Sequence, residues 1–500
     1  MKKKKVVLFY PISEKENIYK NFPIAFIKLG SQLLREGFEV ELIDSRIEVE
    51  YEAHLIKALQ DALFLGVSVM TGYPILHALK ASRISKKANK ELPVVWGGWH
   101  PSLLPAQTIL NEDIDVVVTG QGERAIVELA KAIQSNASLS SIKGIYYKNR
   151  NGAVMENGHR PFEDVNNFAP VDFSLVDTSL YANATDLGRR SVFWVTSQGC
   201  PYGCGFCCTH GLYRQRWSGL VADRVLAEVE ILVNGMGVDG ISFTEDNFMV
   251  EYKRVIAFCE GLLRMKIKIN WAMDARVDQV LHLTEQDLNL LRNSGCRKVF
   301  LGVESGDQEV LDHIDKKITV EQTYEAAKRL HDYGIIAEIF LMVGFPWNPR
   351  RDLQKTLRMI QEIKSKYPNH QSTPFLYTPF PKTKLYEIAV QNGLKEPASL
   401  EEWINWSVLK VMTPWVDRKY LNTVNMLVKY YIPMAYPSEM LNRMFSRRVV
   451  GPILKILHKL ALARMKKNFF RLSIEWYVVN FFYYNIKVKF NLFKGLRPPR

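Results

Sequence analysis

Cysteine is scarce in this 500-residue chain: six occur, and none of them precedes position 200. That spacing is not what a disulfide framework would use. No window reaches about 18 uncharged apolar residues, so no transmembrane helix is expected. The basic start, Met1 to Lys5, leads into an apolar run from Val6 to Pro11 that is too short for a signal-peptide core, and the chain reads as unexported. Neither a GxGxxG fingerprint nor a P-loop occurs, so nothing indicates a dinucleotide or nucleoside triphosphate. Repeats and low-complexity segments are also missing.

Acidic residues are nearly absent from the end of the chain. Residues 441–500 hold 14 Lys and Arg against one acid, Glu475, so this tail carries almost all of the formal net charge of +14. A neutral body with a basic end argues for one surface that meets anions, whether phosphate, lipid headgroup or acidic substrate, and no nucleic-acid groove along the body is expected. Composition is otherwise ordinary for a globular protein, at 47% hydrophobic and 24% charged residues, and the length allows roughly two to four domains.

Val6 to Tyr10 reads as a buried strand, Ile24 to Glu36 as a helix ended by Gly37, and Val40 to Ile43 as a second strand. The alternation continues through Phe64 to Val69, a helix near Ile75 to Lys90, strands at Pro93 to Trp96 and Val116 to Val118, and a helix after Gly122. Such alternation predicts a doubly wound, Rossmann-like parallel sheet with helices on both faces, over residues 1–140. Glycine-bearing turns follow three strand ends: Thr71-Gly72, Gly97-Gly98-Trp99-His100-Pro101 and Thr119-Gly120-Gln121-Gly122-Glu123. They fall at the carboxyl edge, where open sheets bind ligands. The order Gly97-Gly98-x-His100-Pro101, then Asp115-Val-Val-Val-Thr-Gly120-x-Gly122-Glu123, resembles the cobalamin-binding domain fused to radical S-adenosylmethionine (SAM) enzymes, over about residues 5–135. The resemblance implies that these turns hold cobalamin. No Asp-x-His-x-x-Gly follows the first strand, so that loop would offer no histidine to the lower cobalt face. His100 has two readings, a substitute on the cobalt side or a residue that caps its turn or packs beside Trp99. The glycines either admit a cofactor or only permit positive φ.

A linker over residues 141–190, rich in Asn, Asp and Pro, precedes Val192 to Thr196 and then Ser197-Gln-Gly-Cys200-Pro-Tyr-Gly-Cys204-Gly-Phe-Cys207-Cys208. Three thiolates at this spacing can wrap three irons of a cubane cluster, and Gly199, Gly203 and Gly205 let the loop curl. The fourth iron would lack a protein ligand. An open iron can chelate the amino and carboxylate groups of SAM, whose one-electron reduction yields a 5′-deoxyadenosyl radical. The competing reading is structural zinc completed by Cys208 and His210, but adjacent cysteines make a poor tetrahedral pair and no second Cys-x-x-Cys exists. Cys208, Cys259 and Cys296 read as buried thiols.

Cys-x3-Cys-x-aromatic-Cys resembles the signature of the radical SAM superfamily. The resemblance implies a 4Fe-4S cluster on Cys200, Cys204 and Cys207, with Phe206 near adenine. Strand candidates recur at Gly240 to Thr244, Ile267 to Ala272, Lys298 to Val303, Ile335 to Val343 and Thr373 to Tyr377, which with the strand before Cys200 suits a partial (βα)6 TIM-like barrel over residues 191–395. Polar residues stand at the strand ends. By resemblance, Glu304 meets ribose and the Gly344-Phe345-Pro346 turn offers backbone to adenine; Arg276 suits a carboxylate or ribose contact, and Glu245 or Asp246 the ammonium. For each, a solvated strand-end charge is the alternative. Thr378-Pro-Phe-Pro381-Lys-Thr383-x-Leu385-Tyr386 resembles the family's closing segment, with Lys382 where glycine is more usual.

From residue 396 to 500 the pattern is helical and basic, with Trp403, Trp406 and Trp415 placed for a lid or substrate element, and Trp476 to Val488 suited to a membrane interface or to packing as a last amphipathic helix. These features together predict an enzyme with a 4Fe-4S cluster, SAM and cobalamin that methylates an unactivated carbon of a lipid-like or anionic small molecule. Such an enzyme would take electrons from an external donor and work in the cytoplasm, with peripheral contact at the inner membrane face. Oxidative ring formation is the nearest alternative. A methylthiotransferase would want a second cysteine set before the barrel, and a nonenzymatic nucleic-acid or membrane adaptor would leave the glycine turns unused.

Overall fold

The computed structural model describes residues 4–13, 20–48, 50–407, 413–437, 439–446, 448 and 451–480. The first three residues of the basic start and the part of the Trp476 to Val488 run beyond Asn480 lie outside them. Two compact units are present, Met1–Val299 with Pro379–Met412, and Phe300–Thr378 with Thr413–Arg500.

In the first unit, β1 (Lys5–Tyr10), β2 (Glu39–Asp44), β3 (Ala62–Ser68), β4 (Val94–Gly97), β5 (Val116–Val118), β6 (Ile145–Lys148) and β7 (Val154–Glu156) form one sheet in the order β2-β1-β3-β4-β5-β6-β7. The first five are parallel; β6 and β7 add antiparallel. Val6, Val7, Leu8 and Phe9 are fully buried because helices cover both faces, and burying each such side chain contributes roughly 1.5–3 kcal/mol. One helical layer, Ile24–Arg35 beside Glu123–Ser135, packs Phe26, Leu33, Ile126 and Leu129 onto Val6, Leu8 and Val116.

The segment read as a linker is ordered structure. It supplies β6 and β7 and then three single turns, each started by an aspartate whose carboxylate accepts from the backbone two residues on: Asp164, Asp172 and Asp177. The strand β6 was hidden by its mixed sequence, Ile-Tyr-Tyr-Lys, and β7 by its full exposure. The turns return to the sheet domain. Asp172 N donates to Ser31 Oγ at 2.8 Å, Tyr181 Oη donates to Asp44 Oδ2 at 3.0 Å, and the Tyr181 ring stacks on Phe22 at 5.1 Å.

The same unit holds β8 (Ser191–Trp194), a hairpin of β9 (Ser197–Gly199) and β10 (Trp217–Gly219), then β11 (Gly240–Phe243) and β12 (Asn270–Arg276). β8, β11 and β12 are parallel neighbours, with Ser191, Gly240 and Asn270 in register. Phe243, Phe248, Phe258 and Trp271 pack behind them. β13 (Cys296–Glu304) begins in this unit and ends in the second, where β14 (Ile336–Val343) and β15 (Gln371–Leu376) pair in parallel. The strands alternate with helices in chain order, as a partial barrel requires.

The region after residue 396 divides. Its first stretch docks on the sheet domain, where Trp403 Nε1 donates to Gln107 Oε1 at 2.7 Å and Gln107 Nε2 donates to the Pro397 carbonyl at 3.0 Å. The later stretch, with helices Arg418–Met426 and Gly451–Lys467, belongs to the second unit.

Candidate functional site

The cysteine loop hangs between β9 and β10. Gly199 takes φ +83°, and a Cβ there would collide with the Arg216 carbonyl, so the hairpin closes ahead of Cys200 only with glycine. Within the loop, Cys207 N donates to the Cys204 carbonyl at 3.1 Å, and the Cys207 thiol to Thr209 Oγ1 at 3.2 Å. Asp246, just beyond β11, holds the loop from the barrel side: its carboxylate accepts from Gly199 N at 3.1 Å and Thr209 Oγ1 at 3.4 Å. Arg276, the last residue of β12, places its guanidinium over the Tyr202 ring at 4.1 Å, donates to Cys204 Sγ at 3.6 Å and pairs with Asp278 at 2.9 Å. Phe206 sits half-buried in the same loop.

All six cysteines are free thiols, and burial pushes Cys200 up to about 11 and Cys208 to about 12. Ligation by Cys200 would therefore release its thiol proton. Among the described residues no three or more His, Cys, Asp or Glu gather as a site for a single metal ion. A cubane makes a different demand, each thiolate taking its own iron, and the short glycine-rich loop suits that donor set.

A cavity of about 320 Å³ lies at the carboxyl ends of β3, β4, β5, β8 and β11. Of the residues singled out from sequence, Gly97, Gly98, Gly120, Gly122 and Glu123 line it from the sheet domain, and Glu245 and Asp246 from the barrel strands. Gly98 takes φ +95°, and a Cβ there would stand 2.9 Å from Ser68 Oγ and Val69 N, so side-chain bulk is excluded where the cavity meets the sheet edge. The two acids differ. Glu245 is locked inside: Thr196 N donates to it at 2.5 Å, the Thr196 and Ser197 hydroxyls also donate, and Arg254 lies 3.9 Å away. Asp246 is open to the cavity.

Thr71, Gly72, His100 and Thr119 are not in that lining. His100 is fully buried; its Nδ1 pairs with Thr71 Oγ1 at 3.1 Å, its ring meets Trp403 at 5.6 Å, and its Nε2 has no hydrogen-bond partner. Burial depresses its pKa to about 3. Gly72, at φ +108°, presses against the Trp406 carbonyl, and Thr119 is tied to Gly144. In the second unit, Glu304 adopts φ +74°, rare for a residue with a side chain, and accepts from Lys316 Nζ at 2.6 Å. Gly344 at φ +91° accepts from Trp415 Nε1 at 3.0 Å, and Phe345, followed by Pro346, stacks on Tyr377 at 4.9 Å.

Residues that sequence reasoning passed over also face this cavity: Lys28, Gln121, Gln198 and Tyr213. Gln121 stands between Gly120 and Gly122 and Gln198 between Ser197 and Gly199, and an amide there carries no chemistry of its own until its partners are known.

Fold and site together define a class: an α/β protein in which a glycine-bearing sheet edge and the strand ends that hold a cysteine loop line one cavity. Residues 194–360 match the radical SAM superfamily and residues 21–130 match the B12 binding domain; the chain belongs to the radical SAM enzymes that carry a cobalamin-binding domain, with cluster, SAM and cobalamin as cofactors. It is 28% identical over 431 residues to an uncharacterized methyltransferase of Pyrococcus horikoshii, covering 85% of this chain and 90% of that protein. It is 27% identical over 318 residues to an anaerobic magnesium-protoporphyrin IX monomethyl ester cyclase of Rubrivivax gelatinosus, covering 63% and 56%. The fold is shared with the cobalamin-dependent S-adenosylmethionine radical enzyme OxsB, with TM-score 0.75, 18% identity, and 97% of this chain and 75% of that chain covered.

Proposed function

We propose that this chain is a cobalamin-dependent radical SAM methyltransferase acting at an unactivated carbon of a small molecule. The observation that carries the reading is the shared cavity, whose wall is built both from the Gly97–Gly98 and Gly120–Glu123 turns and from the strand ends that hold the cysteine loop. A cluster on the cysteine loop with SAM would supply a 5′-deoxyadenosyl radical, and cobalamin at the glycine turns would supply a transferable methyl group. Cys200, Cys204 and Cys207 hold the cluster, with Phe206 beside the nucleotide. Asp246 holds the loop in place through Gly199 N and Thr209 Oγ1, and Arg276 donates to Cys204 Sγ. Glu304 and the Gly344 to Pro346 turn keep the ribose and adenine roles that the resemblance implies. Residues 1–140 form the cobalamin domain, 191–395 the barrel and 396–500 the closing and substrate region. Electrons come from an external donor.

The methyltransferase name of the Pyrococcus relative supports methyl transfer; the cyclase name of the Rubrivivax relative supports ring formation as a second reading. Mass analysis of products after anaerobic turnover separates them: a gain of one methylene unit supports methylation, and a loss of hydrogen overturns it in favour of ring closure.

The substrate is lipid-like or anionic, and the enzyme works in the cytoplasm against the inner membrane face. Support comes from the helix Gly451–Lys467 and the residues after it. Ile453, Ile456, Leu460, Leu472 and Ile474 stand exposed among exposed Lys455, Lys459, Lys466, Lys467 and Arg471, while Glu475 is engaged by Arg464. Apolar side chains amid cations suit an anionic bilayer surface. No helix of the described residues is long and apolar enough to cross a membrane. Flotation of the intact protein with phosphatidylglycerol vesicles, lost at high salt, is the expected outcome; flotation with neutral vesicles alone, or none, counts against it.

A further inference from the structure

Gln198 is the middle residue of β9, two positions before Cys200. Its side chain reaches the sheet domain: Nε2 donates to Glu123 Oε1 at 2.5 Å, and Oε1 accepts from Gln121 Nε2 at 2.8 Å. Gln121 is anchored in turn, its Nε2 donating to the Glu163 carbonyl at 3.0 Å and its Oε1 accepting from Glu163 N at 2.7 Å. Gln121 and Glu123 are buried, at 8% and 5% exposure, so the amide–carboxylate contact is charge-assisted and shielded from competing water. On the other side of the same backbone, Asp246 holds Gly199 N at 3.1 Å. The stretch leading into Cys200 therefore has little slack.

We infer that Gln198 is a positioning residue that couples the Gly120 to Glu123 turn to the cysteine loop, so that a ligand settling on the turn is felt at the cluster ligands. This rests on the functional reading above for the ligand of the turn. The physical basis is the paired amide network, which fixes the distance between the turn and the strand that enters the cysteine loop through side chains. Breaking it would free the cysteine loop to move independently.

Hydrogen–deuterium exchange of the anaerobically reconstituted full-length protein, with and without hydroxocobalamin, tests this. In wild type, hydroxocobalamin slows exchange both at residues 119–124 and at 200–209, which lie outside the cavity lining. In Gln198→Met, which keeps the length and loses the amide, the slowing stays at 119–124, and residues 197–199 exchange about tenfold faster than in wild type, as loss of a hydrogen bond to a charged group implies. If Gln198→Met does not accumulate folded, Gln198→Ala is read in the same way. Equal slowing of 200–209 in the variant and wild type overturns the coupling, as does a wild type that binds hydroxocobalamin without any response there. A wild type that binds no hydroxocobalamin overturns the functional reading itself, and the coupling with it, and is recognised by its unchanged absorption spectrum.

Discussion

The turn after β3 and the turns after β4 and β5 begin alike, each a short polar and glycine-bearing exit from a buried strand at one sheet edge. Gly98, Gly120 and Gly122 end up facing a cavity, with Ser197 and Asp246 among its other walls. Gly72 instead lies against the Trp406 carbonyl, and its neighbour Thr71 pairs with His100, a residue of the β4 exit that turns away from the cavity to meet Trp403. The difference teaches that a glycine at the carboxyl edge marks close approach of something, and that the something is as readily an indole or a carbonyl as a cofactor. Which of the two arrives is decided by a segment about 300 residues away in the chain.

The largest break in this comparison is at the cysteine loop. Replacing Cys200, Cys204 and Cys207 together by alanine abolishes iron and acid-labile sulfide in the reconstituted protein and all release of 5′-deoxyadenosine, while circular dichroism stays that of the wild type. Retention of either activity or iron by the triple variant would remove the loop from the site.

Gly98→Val comes next. A branched side chain at φ +95°, aimed at Ser68 and Val69, costs roughly 2–5 kcal/mol and fills the cavity edge, so cobalamin-induced fluorescence quenching is lost. Trp403→Ala removes a side chain that is 2% exposed and costs about 3–5 kcal/mol in denaturant unfolding, yet leaves cobalamin quenching intact if the two turns differ as described. Loss of quenching in Trp403→Ala would merge the two regions.

Smaller effects appear as pH profiles. Asp352 is fully buried, accepts from Ser305 Oγ at 2.6 Å, and is raised by burial to about 7. An acid that holds its proton more tightly folded than unfolded contributes stability below pH ~4 that is lost as pH climbs through about 7. Asp352→Asn should therefore gain melting temperature over wild type progressively between pH 4 and 8; a constant difference would show that Asp352 does not titrate there. His100 has the reverse sign. Its pKa lies near 3 when folded, so wild-type stability falls as pH drops below ~6.5, and His100→Gln flattens that slope without changing cobalamin quenching.

Much of this was legible in sequence. The strands β1, β3, β4 and β5 follow from apolar runs and β2 from its alternation of Val40 and Leu42 with Glu39 and Glu41, and the cysteine loop follows from spacing that few other sites use. The hairpin strands β6 and β7 were not legible, because one is half-polar and the other exposed, and neither carries a periodic signal. The polar strand ends were legible as candidates but not as roles: Glu245 and Asp246 are adjacent, yet one is held by Thr196 and Ser197 inside the barrel and the other reaches the cysteine loop. Gln198 carried no signal at all, since its meaning lies in Gln121 and Glu123, which are 77 and 75 residues distant.

The order of the amino acids alone determined the parallel sheet domain, the three clustered thiols with glycines that let them curl, and the basic end, because each depends on residues that are neighbours in the chain. Only folding decided which strand-end groups meet at the cavity, which glycine turn is roofed by tryptophan, and which amides join the sheet edge to the cysteine loop. Burial and hydrogen bonding over long chain separations set those outcomes, and no local pattern records them.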